Sequence, residues 1–184
     1  MSCIVPYPAT QAKPIEWLRM SKELANFNLT TVDGLFNNQS VQGGWTFILF
    51  GYIECPDICP LGLTLLSEVE TQLSDTAFGN NVQFVFVAVD LNEQQATEVD
   101  KFTQYFSSSL IGVVGKQSQL NTLAKSLGSR YKIVSDGTRY SVSHTPFISI
   151  VDPKGQLIGR FKHPQDAPSL VQHFLSYVSV YDKD

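Results

Sequence analysis

Two of the three cysteines of this 184-residue chain lie four apart, in the segment Cys55-Pro56-Asp57-Ile58-Cys59-Pro60. A chain of this length buries a core without disulfide staples, so the pair reads as a site rather than as part of a framework. It follows the apolar run Thr46 to Phe50 and precedes a helical pattern. That puts it at the carboxyl end of a strand and the start of a helix, where open α/β sheets place their chemistry. Unpaired N–H groups at a helix start stabilise thiolates, which predicts thiol pKa values below that of an isolated cysteine. Asp57 opposes a thiolate pair unless a cation joins it, and a bound cation resolves the conflict. Soft sulfur ligands select Cu(I) or Zn(II) over Mg(II) or Ca(II).

Hydrophobic periodicity supplies the elements that must hold this segment in place. Asn28 to Thr31 and Val32-Asp33-Gly34-Leu35 read as an N-terminal hairpin whose Asp-Gly supplies positive φ. Thr46 to Phe50 reads as a buried parallel strand, and from Pro60, placed at a first helical position, Leu61, Leu65, Leu66, Val69 and Leu73 form one helical face. Val82 to Val89 is a second buried strand ending at Asp90, and Val99, Phe102, Thr103 and Phe106 trace a helix from near Asn92. Next come a strand at Ile111 to Val114, a helix with Leu120, Leu123 and Leu127 capped by Gly128, and a strand at Tyr131 to Val134 with a turn at Ser135-Asp136-Gly137. Phe147 to Val151 and Leu157 to Phe161 flank the turn Asp152-Pro153-Lys154-Gly155, and a last helix runs from Ala167 to Tyr177. Parallel crossovers followed by a hairpin and a helix make an α/β fold, a thioredoxin-like three-layer sandwich with a mixed central sheet. One domain is expected over residues 1–184, with residues 1–25 an N-terminal extension.

The composition removes several function classes. Only 16% of residues are charged, well below the roughly 25% of an average soluble domain and far from a disordered chain. Thirteen basic against seventeen acidic residues give a net charge of −4. With no basic cluster, the footprint that nucleic acid demands is missing. The apolar runs are far shorter than the roughly 18 to 20 residues needed to cross a bilayer. Cys3 sits where a lipid anchor could be attached, but only Met1 and Ser2 precede it. It is read as a cloning or processing remnant, and membrane association is expected only through an anchor missing from this chain.

Two ligands are too few for most metals, and three histidines are available. His144 stands just before the strand Phe147 to Val151, whose entry loop faces the cysteine turn in a thioredoxin-like sheet. Two sulfurs and one nitrogen make a copper-like set. His163 and His173 lie away from that sheet end and are read as surface residues. The same residues support a second chemistry, thiol–disulfide exchange, with Cys55 attacking, Cys59 resolving and His144 tuning their pKa values.

Phe50-Gly51-Tyr52-Ile53-Glu54-Cys55-Pro56-Asp57-Ile58-Cys59-Pro60 resembles the signature of the Sco/SenC copper proteins of cytochrome c oxidase assembly. The resemblance extends to the hairpin at Phe27 to Gly34, the strand ending at Asp90, Tyr105, and His144 ahead of the Asp-Pro-x-Gly turn. It implies a copper-binding assembly factor, not a classical enzyme, that holds Cu(I) or Cu(II) through Cys55, Cys59 and His144. Such a protein matures the oxidase copper centre by delivering copper, reducing cysteines, or both. The implied partners are the copper-bearing oxidase subunit and another copper chaperone. The implied location is outside the cytosol, the bacterial periplasmic face before the mitochondrial intermembrane space. The chain departs from the family pattern at Asp90-Leu91-Asn92-Glu93-Gln94, where Asp-Pro-Glu-Arg-Asp is common, and at Ser143, where an Asp is common. Pro146 falls where thioredoxins carry a cis-proline, which tilts the site toward thiol exchange. The Thr-x-x-Cys of peroxiredoxins is absent.

Overall fold

The computed structural model of the protein describes residues 15–55, 58–135, 140–144, 147–162 and 166–181. Strand β1 (Ile15–Glu23) and a hairpin of β2 (Asn28–Thr31) and β3 (Gly34–Asn37) precede the buried strand β4 (Trp45–Gly51). Helix α1 (Ile58–Ser74) leads to β5 (Val82–Ala88), α2 (Ala96–Gln104) to β6 (Leu110–Val113), and α3 (Gln117–Leu127) to a ribbon of β7 (Tyr131–Ser135) and β8 (Tyr140–His144). The hairpin β9 (Phe147–Val151) and β10 (Gln156–Lys162) and helix α4 (Ala167–Tyr181) complete the order.

The central sheet runs β1-β10-β9-β4-β5-β6. β4, β5 and β6 are parallel, while β9, β10 and β1 add antiparallel strands on the other side. Right-handed crossovers that step twice in the same direction put both connecting helices on the same face. That face meets α1, α2 and α4. Phe47 and Trp45 contact Phe174 of α4, with ring centroids 5.1 and 5.4 Å apart, and Phe86 contacts Phe102 at the end of α2 at 5.5 Å. The return from β6 to β9 steps the opposite way and leaves α3 on the other face, where Arg160 Nε donates to the Leu127 carbonyl at 3.0 Å. Three layers around a mixed sheet result, as the periodicity predicts.

Several boundaries differ from the sequence-based expectations. The segment expected as an extension over residues 1–25 is a sheet strand from Ile15 onward, pairing Ile15 with Phe161 and Glu23 with Gln156. In the β2–β3 hairpin Thr31 pairs with Gly34, so Val32 and Asp33 form the turn, and only Gly34 has positive φ, +136°. Helix α1 begins at Ile58, which makes Pro60 its third residue. The N–H that proline lacks there is still one of the four that a helix start leaves without an intrahelical acceptor. Asn92 caps a short 3-10 turn ahead of α2. Gly128 ends α3 at φ +66° as expected, and α4 continues to Tyr181. Asp136 and Gly137 lie outside the described residues.

Candidate metal centre

The site begins with the exit of β4. Gly51 is its last residue, and a Cβ there would lie 2.7 Å from Cys59 Sγ and 2.5 Å from Phe86 Cε2. Glycine is required for the sulfur to reach the strand end. Cys59, the second residue of α1, is fully buried, and Cys55 is buried at the rim with 9% exposed. The Cys55 N–H donates to the Tyr52 carbonyl at 3.3 Å, and the Cys59 N–H donates to Cys55 Sγ at 3.4 Å. The turn between them is thus closed onto its own sulfurs, the arrangement that lets two thiolates meet one ion.

Burial pushes the Cys59 thiol well above the ordinary thiol range, helped by its bond to Cys55 and by the negative fields of Cys55 and Asp90. The lowered pKa expected at a helix start is therefore not found at Cys59. Loss of water outweighs the partial charge of the helix end. A cation that replaces the proton would offset that penalty, since metal ligation requires the thiolate.

Asp90, at the end of β5, accepts the Ile53 N–H at 3.3 Å and ties down the turn after Tyr52. Neither Asp90 nor Tyr52 was singled out as a site residue from the sequence. Their only sequence signal is a polar group at the end of an apolar strand, where burial demands a partner.

The β7–β8 ribbon reaches this end of the sheet. Phe50 of β4 stacks on Tyr131 of β7, with centroids 6.3 Å apart and ring planes at 18°. Tyr131 is the register partner of His144, the last residue of β8. Tyr52, just beyond β4, and Val142 of β8 are both buried, and burial raises the Tyr52 pKa, helped by the neighbouring Cys55. The backbone thus brings His144 to the same end of the sheet as the cysteines. Among the described residues no three His, Cys, Asp or Glu side chains stand close enough to hold a metal ion. His173 lies on α4, its Nδ1 3.1 Å from the Ser169 carbonyl of its own helix. Cys3, Pro56, Asp57, Pro146 and His163 lie outside the described residues. The donor chemistry present, a pair of converging sulfurs, suits a soft ion.

A mixed sheet of this topology with a dithiol turn where β4 enters α1 defines a thioredoxin-like protein. Within that class, the SCO1/SenC family profile matches residues 18–179, and the chain belongs to this family. A protein of Stutzerimonas stutzeri named for copper binding is 30% identical over 134 residues, 72% of this chain and 65% of that protein. The mitochondrial SCO1 homolog 1 of Arabidopsis thaliana is 26% identical over 159 residues, 85% of this chain and 47% of that protein. The chain thus spans between about half and two thirds of the length of these relatives. The crystal structure of Arabidopsis thaliana ScoI with copper bound superposes with a TM-score of 0.77 at 25% identity, covering 85% of this chain and 98% of that one. Among the described residues no helix is long and apolar enough to cross a membrane.

Proposed function

We propose that this protein binds one copper ion through Cys55, Cys59 and His144 and serves the maturation of the cytochrome c oxidase copper centre. The observation that carries the reading is the thiol pair closed against Gly51, with Cys55 at the rim and Cys59 buried behind it. Soft, converging sulfurs at a sheet end favour Cu(I), and an imidazole from His144 adds the donor that Cu(II) needs. Family membership and the copper-bound Arabidopsis neighbour support the same assignment. The role follows from the family: copper delivery to the copper-bearing oxidase subunit, reduction of that subunit's cysteines, or both, with copper received from another copper chaperone. The compartment proposed is the non-cytosolic face of the membrane that carries the oxidase, the bacterial periplasm first.

A second reading, thiol–disulfide exchange by Cys55 with Cys59 resolving, is favoured by the closed turn that holds both thiols, in which the Cys59 N–H donates to Cys55 Sγ. The two are separated by titrating the reduced protein with Cu(I) against a competing chelator, and with Cu(II), alongside reduction kinetics on a disulfide substrate. The copper reading expects about one ion per chain, lost in Cys55→Ser and Cys59→Ser, with Cu(II) binding collapsing in His144→Ala while Cu(I) binding weakens less. Full Cu(I) affinity in either serine variant would remove the site assignment. Unchanged Cu(II) affinity in His144→Ala would take His144 out of the site and leave the exchange reading ahead.

A further inference from the structure

The β7–β8 ribbon that ends in His144 is a two-stranded sheet of its own, and among the described residues it shares no backbone ladder with the central sheet. Side chains must therefore set where it stands. Of those described, Lys132, Ile133, Val134 and Ser143 are exposed, Val142 is buried and Tyr131 is half-buried. Val142 pairs with Ile133 further along the ribbon, whereas Tyr131 is the register partner of His144 itself. The attachment nearest the histidine is thus Tyr131.

This side chain is held from two directions. Its ring stacks on that of Phe50, which is buried and immediately precedes the glycine against which Cys59 packs. Its hydroxyl donates to Asn121 Oδ1 at 2.7 Å and accepts from Gln117 Nε2. Gln117 opens α3 and Asn121 stands four residues later, so both lie on one side of that helix. A phenylalanine would keep the stack, so packing does not account for the oxygen. Its bonds to the first turns of α3 do.

We propose that Tyr131 is a positioning residue: its stack on Phe50 and its bonds to Gln117 and Asn121 fix the His144 end of the ribbon relative to the dithiol turn. This deepens the copper reading and rests on it. The sulfurs belong to the turn between β4 and α1, outside the ribbon. Loosening Tyr131 therefore acts on the nitrogen donor. Cu(I) accepts two sulfurs, whereas Cu(II) needs the imidazole, so the two copper states respond unequally. Groups that orient metal ligands typically change affinity by about 10- to 100-fold when removed.

The test compares Tyr131→Phe and Asn121→Ala, which break the tie to α3 but keep the ring, with Tyr131→Ala, which removes ring and tie together. In the metal-free protein, hydrogen exchange in the ribbon should accelerate about threefold in the first two variants, the worth of one net hydrogen bond, and about tenfold or more in Tyr131→Ala. Cu(II) affinity should fall about tenfold in Tyr131→Ala, and Cu(I) affinity clearly less. A merely structural role would lower the thermal midpoint and weaken both copper states by the same factor. Equal losses for Cu(I) and Cu(II), unchanged ribbon exchange in Tyr131→Ala, or faster exchange with unchanged Cu(II) affinity each overturn the proposal. If Tyr131→Ala does not fold, the other two variants decide, since ribbon exchange as slow as in the unaltered protein in both excludes the tie. Failure of the unaltered protein to bind copper would instead sink the copper reading, while exchange in the metal-free variants would still report whether Tyr131 holds the ribbon.

Discussion

β4 and β9 run antiparallel, so the exits of these neighbouring strands lie at opposite ends of the sheet and can be compared directly. β9 leaves into a turn built on Asp152, which is only 2% exposed. Its Oδ1 accepts the N–H groups of Lys154 and Gln156 at 3.0 and 2.8 Å, and its Oδ2 accepts the Tyr181 hydroxyl at 2.9 Å. Gly155 closes that turn at φ +78°. β4 leaves into a turn built on two thiols, where the Cys59 N–H donates to Cys55 Sγ at 3.4 Å. Bonds to sulfur are weak where bonds to a carboxylate are strong. One end has its polar groups committed to strong internal bonds, and the other holds polar groups whose bonds a metal ion can replace. Burial is common to both ends, so the kind of bonding, rather than burial, sets the dithiol end apart.

The sharpest break of this contrast is Asp152→Ala. It leaves two backbone N–H groups and a tyrosine hydroxyl without their acceptor and should lower stability by about 3 kcal/mol, with copper stoichiometry unchanged. Urea unfolding and a Cu(I) titration on the same sample check both halves, and loss of copper binding would show that the two ends are not independent. Gly51→Ala acts on the open end. Its methyl group meets Phe86 and Cys59, so it should cost about 2 kcal/mol by overpacking and weaken copper binding as well. A stability loss with unaltered copper affinity would mean that the Cys59 sulfur has room to retreat.

The smallest effect concerns pH. Burial raises the Cys59 pKa in the folded state, so above the ordinary thiol value the unfolded chain has lost a proton that the folded chain keeps. The metal-free protein is then fully stabilised by this group below about pH 8.5 and loses that contribution as pH rises toward the displaced value, by at most about 1.4 kcal/mol per pH unit. Denaturant midpoints measured from pH 7 to 10 should fall, and less steeply in Cys59→Ala. An equal slope in both would place the alkaline loss elsewhere.

The parallel heart of the fold was legible because its signals are local. β4 is buried along its whole length and reads as an unbroken apolar run, and Gly128 marks the end of α3 by the φ that only glycine adopts readily. The cysteine turn was legible for the same reason, since spacing and punctuation sit within six residues. β1 was not, because its register shifts between Trp17 and Lys22, which breaks the alternation that would announce a strand. β8 was missed as well. Its Tyr-Ser-Val-Ser-His pattern is mostly polar, and it pairs only with β7 rather than with the central sheet.

The pairing of β1 with β10 also has a consequence in time. Ile15 finds its partner at Phe161, so during synthesis β1 waits until β10 has left the ribosome. Contacts this far apart in sequence are costly to close and slow to form. Until then β10 has no neighbour on one side, and Trp17 lacks the Tyr177 ring it finally stacks on at 3.9 Å. Closure of this edge is expected to be the late event in the protein's maturation, with the dithiol end already assembled while the opposite margin of the sheet is still exposed to association with other chains.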